Sequence, residues 1–151
     1  MGTGRTMTCS KCGYHKTFYL GSGMGFPEEY KKVVMKIRKG KYGKELQTFF
    51  ESYPGAVVNA ETELYQCPGC NYLQADYNLS LYVHKQGQPP ENGYWIKYLD
   101  FNQEYSYVRS YAHKCPKCRQ RMRHITDSTS PVPCPECGEL LEEDPGMMLW
   151  D

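Results

Sequence analysis

What these 151 residues lack narrows the reading first. No apolar run is long enough to span a membrane. The first twenty residues carry Arg5, Lys11 and Lys16 among polar neighbours, without the apolar stretch and small-residue cleavage site of a secretory signal. The expected setting is the cytoplasm, with no membrane partner. Leucine, isoleucine, valine and phenylalanine are few beside fourteen tyrosines, so the core must be thin. A small domain of that kind usually needs covalent or metal staples. There are no heptads and no low-complexity tract. The Gly-Lys-Ser/Thr of a nucleotide-binding loop is missing, and Phe26 stands where a dinucleotide fingerprint needs its third glycine, so Gly21 to Gly25 reads as a turn. No His-x-Glu of a zinc deaminase occurs, and His15, His84, His113 and His124 stand singly.

Cysteine is the exception. All eight cysteines fall into four Cys-x-x-Cys pairs, Cys9/Cys12, Cys67/Cys70, Cys115/Cys118 and Cys134/Cys137, with none left over. A reducing compartment does not favour structural disulfides, and a disulfide framework would not require uniform spacing. A Cys-x-x-Cys turn points two thiolates at one centre, and two such turns complete a tetrahedral site. The residue after the second cysteine often needs a left-handed backbone. It is Gly13, Asn71, Arg119 and Gly138 in turn, and proline follows the first cysteine at Pro68, Pro116 and Pro135.

These turns resemble the knuckles of the zinc-ribbon and rubredoxin-like families. The opening, Cys9 to Tyr14, also resembles that of small uncharacterised bacterial zinc-ribbon proteins. The resemblance covers the knuckles and their adjoining strands. It implies metal ligation by all eight cysteines and a local fold, and it brings no activity with it. Arg119 departs from the usual glycine. Two Zn2+ ions per chain are expected; iron uses the same four-thiolate set, but two separate sites favour zinc.

Chain spacing predicts which pairs combine. Fifteen residues separate Cys118 from Cys134, the span of a self-contained ribbon, so the C-terminal site is expected from Cys115, Cys118, Cys134 and Cys137. Cys9, Cys12, Cys67 and Cys70 then form the other site across fifty-four residues. An interleaved arrangement would cost more loop entropy. The expected domains are 1–112, holding the first site and a helical insertion at about 26–53, and a C-terminal ribbon over 113–151.

The insertion carries the clearest helix. Pro27, Glu28 and Glu29 open it, Tyr30, Val33, Val34 and Ile37 make an apolar face, and Lys36, Arg38, Lys39 and Gly40 close it. A second helix is expected from Gly43 to Ser52, with Leu46, Phe49, Phe50 and Tyr53 inward. Strands are expected at 14–20, from Glu61 into Cys67, at 72–84, 94–101 and 105–111. The terminal Met147 to Trp150 reads better as a last strand than as a docking peptide. The fold class is α+β: small antiparallel sheets built on knuckles, two inserted helices and a C-terminal ribbon.

The net charge of +1 conceals a partition. Lys31, Lys32, Lys36, Arg38, Lys39, Lys41 and Lys44 form an acid-free stretch, and Arg109, Lys114, Lys117, Arg119, Arg121 and Arg123 form another. From Glu136 onward the sign reverses. Two readings stand. The basic stretches contact nucleic acid or an acidic partner protein, or they are solvated faces that offset the charge of about −2 on a four-thiolate zinc. The functional expectation is a non-enzymatic adaptor with two structural zinc sites, partnered by nucleic acid or protein. The alternatives are a thiol-based redox sensor or redox-controlled chaperone that releases zinc on oxidation, and, third, a zinc-dependent enzyme.

Overall fold

The computed structural model describes residues 2–87, 104–127, 129–144, 146 and 148–150. The chain is an α+β protein of two compact units, each assembled from separated stretches. Residues 1–23, 61–77 and 112–151 form the first unit; 24–60 and 78–111 form the second. The expected division at residue 112 is therefore replaced. The C-terminal segment joins the N-terminal hairpin instead of standing alone, and the insertion is larger than its two helices. The strand expected over 94–101 lies outside the described residues.

The first unit holds two small sheets. In one, β1 (Gly2–Thr8) is flanked by β2 (His15–Leu20) and β10 (Met148–Trp150), and β9 (Glu142–Glu143) also pairs with β1. The β1–β2 pairing runs in register from Thr3↔Leu20 to Thr8↔His15, which leaves Cys9 to Tyr14 as the hairpin tip. In the other sheet, β4 (Thr62–Gln66) lies between β5 (Leu73–Tyr77) and β8 (Arg123–His124). Its long hairpin runs from Thr62↔Tyr77 to Gln66↔Leu73, with Cys67 to Tyr72 at the tip. Met7, Phe18, Leu64, Leu73, Ile125 and Val132 make one buried cluster that draws on both sheets.

The second unit packs α1 (Phe26–Arg38) and α2 (Lys44–Ser52) with β3 (Ala56–Val58), β6 (Leu81–His84) and β7 (Tyr105–Arg109), which pair in the order β3-β6-β7. Phe26, Tyr30, Val33 and Ile37 are the buried face of α1. Its end is a Schellman turn: Gly40, at φ 77°, donates to the Ile37 carbonyl and Lys41 donates to that of Lys36. In α2 Leu46, Phe49 and Phe50 are buried, whereas Tyr53 is half exposed rather than inward.

The single strand expected over 72–84 is two strands in different units. Asn78 Oδ1 accepts from the Ser80 amide, and buried Leu79 sits at φ 61°, which ends one strand and begins the next.

Candidate metal centres

Each Cys-x-x-Cys pair is the tip of a β-hairpin. The first two hairpins are long. The third and fourth are minimal, closed by single bridges Lys114↔Arg121 and Pro133↔Leu140. All four turns share one backbone pattern. The amide of the residue after the second cysteine donates to the first cysteine's carbonyl: Gly13 to Cys9, Asn71 to Cys67, Arg119 to Cys115 and Gly138 to Cys134, at 2.8–3.0 Å. The first cysteine's amide in turn donates to the carbonyl five residues on. The left-handed residue is Gly13 at φ 79°, Asn71 at 62°, Arg119 at 64° and Gly138 at 82°. Arg119 thus adopts the knuckle conformation without glycine, at about 1 kcal/mol or more of steric cost.

The pairs combine differently from the spacing argument. Cys9, Cys12, Cys134 and Cys137 form one cluster, and Cys67, Cys70, Cys115 and Cys118 the other, with the sulfurs of each within 4.8 Å of one another. The arrangement is nested, first pair with fourth and second with third. Loop closure explains why the expectation fails. The nested loops enclose 121 and 44 residues in place of 54 and 15. Because closure entropy grows only with the logarithm of length, the penalty is about 1–2 kcal/mol. Strand pairing and burial exceed it. β9 and β10 bring the fourth knuckle to β1 beside the first, and β8 brings the third to β4 beside the second.

Sheet clamps hold each pairing. Arg5 donates two hydrogen bonds to Glu143, at 2.8 and 2.7 Å, tying β1 to β9. Gln66, almost wholly buried, donates from Nε2 to the carbonyls of Asn71 in the second knuckle and Pro133 beside the fourth, at 3.0 and 2.8 Å. One amide therefore joins elements of both centres. The Gln120 side-chain amide of the third knuckle lies over Gly69 of the second, in space that a Cβ at 69 would share.

The geometry fits a four-thiolate metal. The closest sulfurs across each cluster are Cys9–Cys137 and Cys12–Cys134 at 3.5 Å, Cys67–Cys118 at 3.3 Å and Cys70–Cys115 at 3.6 Å. Disulfides would require about 2.05 Å. Thiolates about 2.3 Å from a tetrahedral zinc lie about 3.8 Å apart, close to what is seen. In every pair the first cysteine is buried and the second more open.

The amides treat the two positions differently. The Cys12 amide, against burial and with help from the Lys11 amide and the Cys137 and Cys12 thiols, lowers Cys9 to about 7. At Cys67 burial opposes ionisation, but the Cys70 amide, the Cys118 thiol and the Gly69 amide together bring it to about 7. The more open positions move the other way. The Tyr14 amide favours the Cys12 thiolate, yet burial and the neighbouring thiols push it up to about 12. Cys118 also rises to about 12, as the Cys67 thiol and burial outweigh the Gln120 amide. Easily ionised sulfur and accessible sulfur are different atoms.

Three histidine and tyrosine rings sit beside the inner centre, a grouping that the scattered histidines did not signal. His113 stacks on Tyr65 with centroids 3.9 Å apart, and His124 lies 5.2 Å from the same ring. His113 Nε2 is 2.8 Å from the Tyr77 carbonyl and His124 Nε2 2.8 Å from Glu63. The histidines support the hairpins and are not in either sulfur cluster.

The expected contact residues separate by unit. In the second, Lys31 and Lys32 pair with Glu28 and Glu29, Arg38 lies over Phe50, and Arg109 pairs with Glu45 at 2.9 Å. Lys36 and Lys39 are exposed. In the first, Arg123 donates to Gln66 Oε1 and the Pro131 carbonyl, a structural role. Lys117 lies 4.9 Å over the Tyr72 ring, while Arg119 and Arg121 point to solvent.

Fold and centres together define an α+β protein whose first unit holds two four-cysteine clusters able to hold a metal ion. No family model, curated protein or solved structure matches the chain. Among the described residues, no helix is long and apolar enough to cross a membrane.

Proposed function

We propose that this protein binds two zinc ions in structural sites and serves as a non-enzymatic binding module. The observation that carries the reading is the closure of both centres. Four cysteine sulfurs supply every position of a tetrahedral zinc, and a catalytic zinc keeps one position for water or substrate. Bound zinc would supply cross-linking: it ties four hairpin tips of a unit whose apolar core is small. The protein's own contribution is the array of amides that stabilises the thiolates. The exposed basic side chains on the scaffold favour an anionic partner.

The redox-sensor alternative needs thiols that are both accessible and acidic. The acidified sulfurs Cys9 and Cys67 are buried, and accessible Cys12 and Cys118 are held protonated in the metal-free protein. That separation supports the structural reading. Metal analysis of protein purified under reducing conditions tests it: two zinc ions per chain are expected. One ion, or a stoichiometric yield of iron, would sink the reading. Zinc loss at substoichiometric peroxide, with a gain of anti-aggregation activity, would replace it with the redox reading.

A further inference from the structure

The two centres have the same architecture and opposite surroundings, which makes each a control for the other. Around the outer centre the fourth knuckle carries Glu136 and Glu139, and Lys11 of the first is paired with Glu139 at 3.2 Å. Around the inner centre the third knuckle carries Lys114, Lys117, Arg119 and Arg121, all exposed, with no acidic residue from 109 to 123. If cations were needed to offset the thiolates, both centres would have them. The outer centre closes with acids in the corresponding turn, so the charge of the third knuckle requires another explanation.

Three observations point to an external anion. Lys114 and Arg121 are bridge partners, and cross-strand partners project from the same face of a hairpin, so these two cations lie side by side, with Lys117 and Arg119 in the turn between them. None of the four forms an ion pair among the described residues, in contrast to Lys31, Lys32 and Arg109. Arg119 occupies a left-handed position that glycine or asparagine fills in the other three knuckles, so an arginine is held at the tip against steric cost. Beside them lies half-buried Tyr72, with the Lys117 ammonium 4.9 Å from the centroid of its ring.

We infer that the tip of the third knuckle is a contact surface for single-stranded nucleic acid, in which Lys114, Lys117, Arg119 and Arg121 meet successive phosphates and Tyr72 offers a stacking face. The inference rests on the zinc reading, since the hairpin has only one bridge and depends on the metal centre for its shape. Phosphodiester backbones present closely spaced charge without regard to sequence, which suits a cluster of four cations in eight residues. One aromatic ring favours unpaired bases over a duplex, whose bases are stacked inside.

The test is fluorescence anisotropy with a labelled oligothymidylate, using zinc-loaded full-length protein at several salt concentrations. Four phosphate contacts predict a slope of log affinity against log salt near −3, from about 0.7 per contact on single strands. Reversal of three charges, Lys117→Glu, Arg119→Glu and Arg121→Glu, should weaken binding at least ~10-fold and bring the slope close to −1. Reversing Lys31, Lys32 and Lys36 should leave both unchanged. Metal analysis of each variant separates misfolding from lost contact, and Arg119→Gly, which relieves backbone strain, gives a well-folded variant with one contact fewer. Equal binding by parent and triple variant, or oligonucleotide displaced as readily by polyglutamate, would overturn the inference; the latter would assign the surface to an acidic protein. Two zinc ions with no oligonucleotide binding would reject this surface alone, whereas absence of zinc would reject the reading beneath it.

Discussion

Arg119 combines two opposing demands in one residue. Its backbone stands at φ 64° where glycine is at ease, and its side chain supplies one of four exposed cations that form no ion pair among the described residues. Replacement by glycine should stabilise the zinc-loaded protein by about 1 kcal/mol, read as a higher denaturant midpoint, because the left-handed penalty disappears. Gly138→Arg should do the reverse at the fourth knuckle. Gln66 makes a second prediction. Its buried amide serves two carbonyls, so Gln66→Leu leaves both without that partner and should cost about 1–3 kcal/mol. The same variant should loosen both centres, measured as faster zinc loss to a chelator.

Cys9 and Cys67 give a pH dependence whose sign is definite. Cys9 and Cys67 are lowered from 9.0 to about 7 in the folded, metal-free protein. A lowered value contributes stability that is complete above the unfolded value near 9.0 and is lost as pH falls through about 7. Metal uptake also requires deprotonated sulfur. Zinc affinity in chelator competition should therefore drop steeply from about pH 8 to about pH 6, with protons released on binding.

At the scale of elements, β9 is two residues long and yet brings the fourth knuckle to the first. Its clamp is the bidentate Arg5–Glu143 pair, partly shielded from water. Glu143→Gln should cost about 1–2 kcal/mol and release metal from the outer centre before the inner one. The elements were unevenly legible. Both helices announce themselves through Pro27, Gly40 and the spacing of apolar residues, and the knuckles through their cysteines. β1 gives almost no signal, because Gly2 and Gly4 are poor strand residues. A Cβ at Gly2 would overlap the Trp150 ring, and one at Gly4 would crowd Met148. β1 pairs locally with β2, but the partners that suit its glycines lie more than 140 residues away, where the neighbouring sequence gives no sign of them. The break at Leu79 is equally hard to see in the sequence: a buried leucine is an unusual residue for a left-handed turn, and only the Asn78 side chain hints at it.

At the scale of the whole molecule, the ligands were readable and their partnership was not. Spacing favours neighbours, but the decision between sequential and nested pairing lies in long-range strand registers that local sequence does not encode. Metal stoichiometry of paired variants distinguishes them directly. Serine at Cys9, Cys12, Cys134 and Cys137 should leave one zinc ion per chain, whereas serine at Cys9, Cys12, Cys67 and Cys70 should leave none. Sequential pairing predicts one ion in the second case and none in the first.

Nesting also imposes an order of events on synthesis. The inner centre can close as soon as Cys118 leaves the ribosome, while Cys9 and Cys12 must wait for Cys137. Throughout that interval the first hairpin tip holds two thiols with no native partner, and the nearest emerging thiols are those of the wrong centre. Once the inner centre has closed, the only thiols left for the first knuckle are those of its native partner, Cys134 and Cys137.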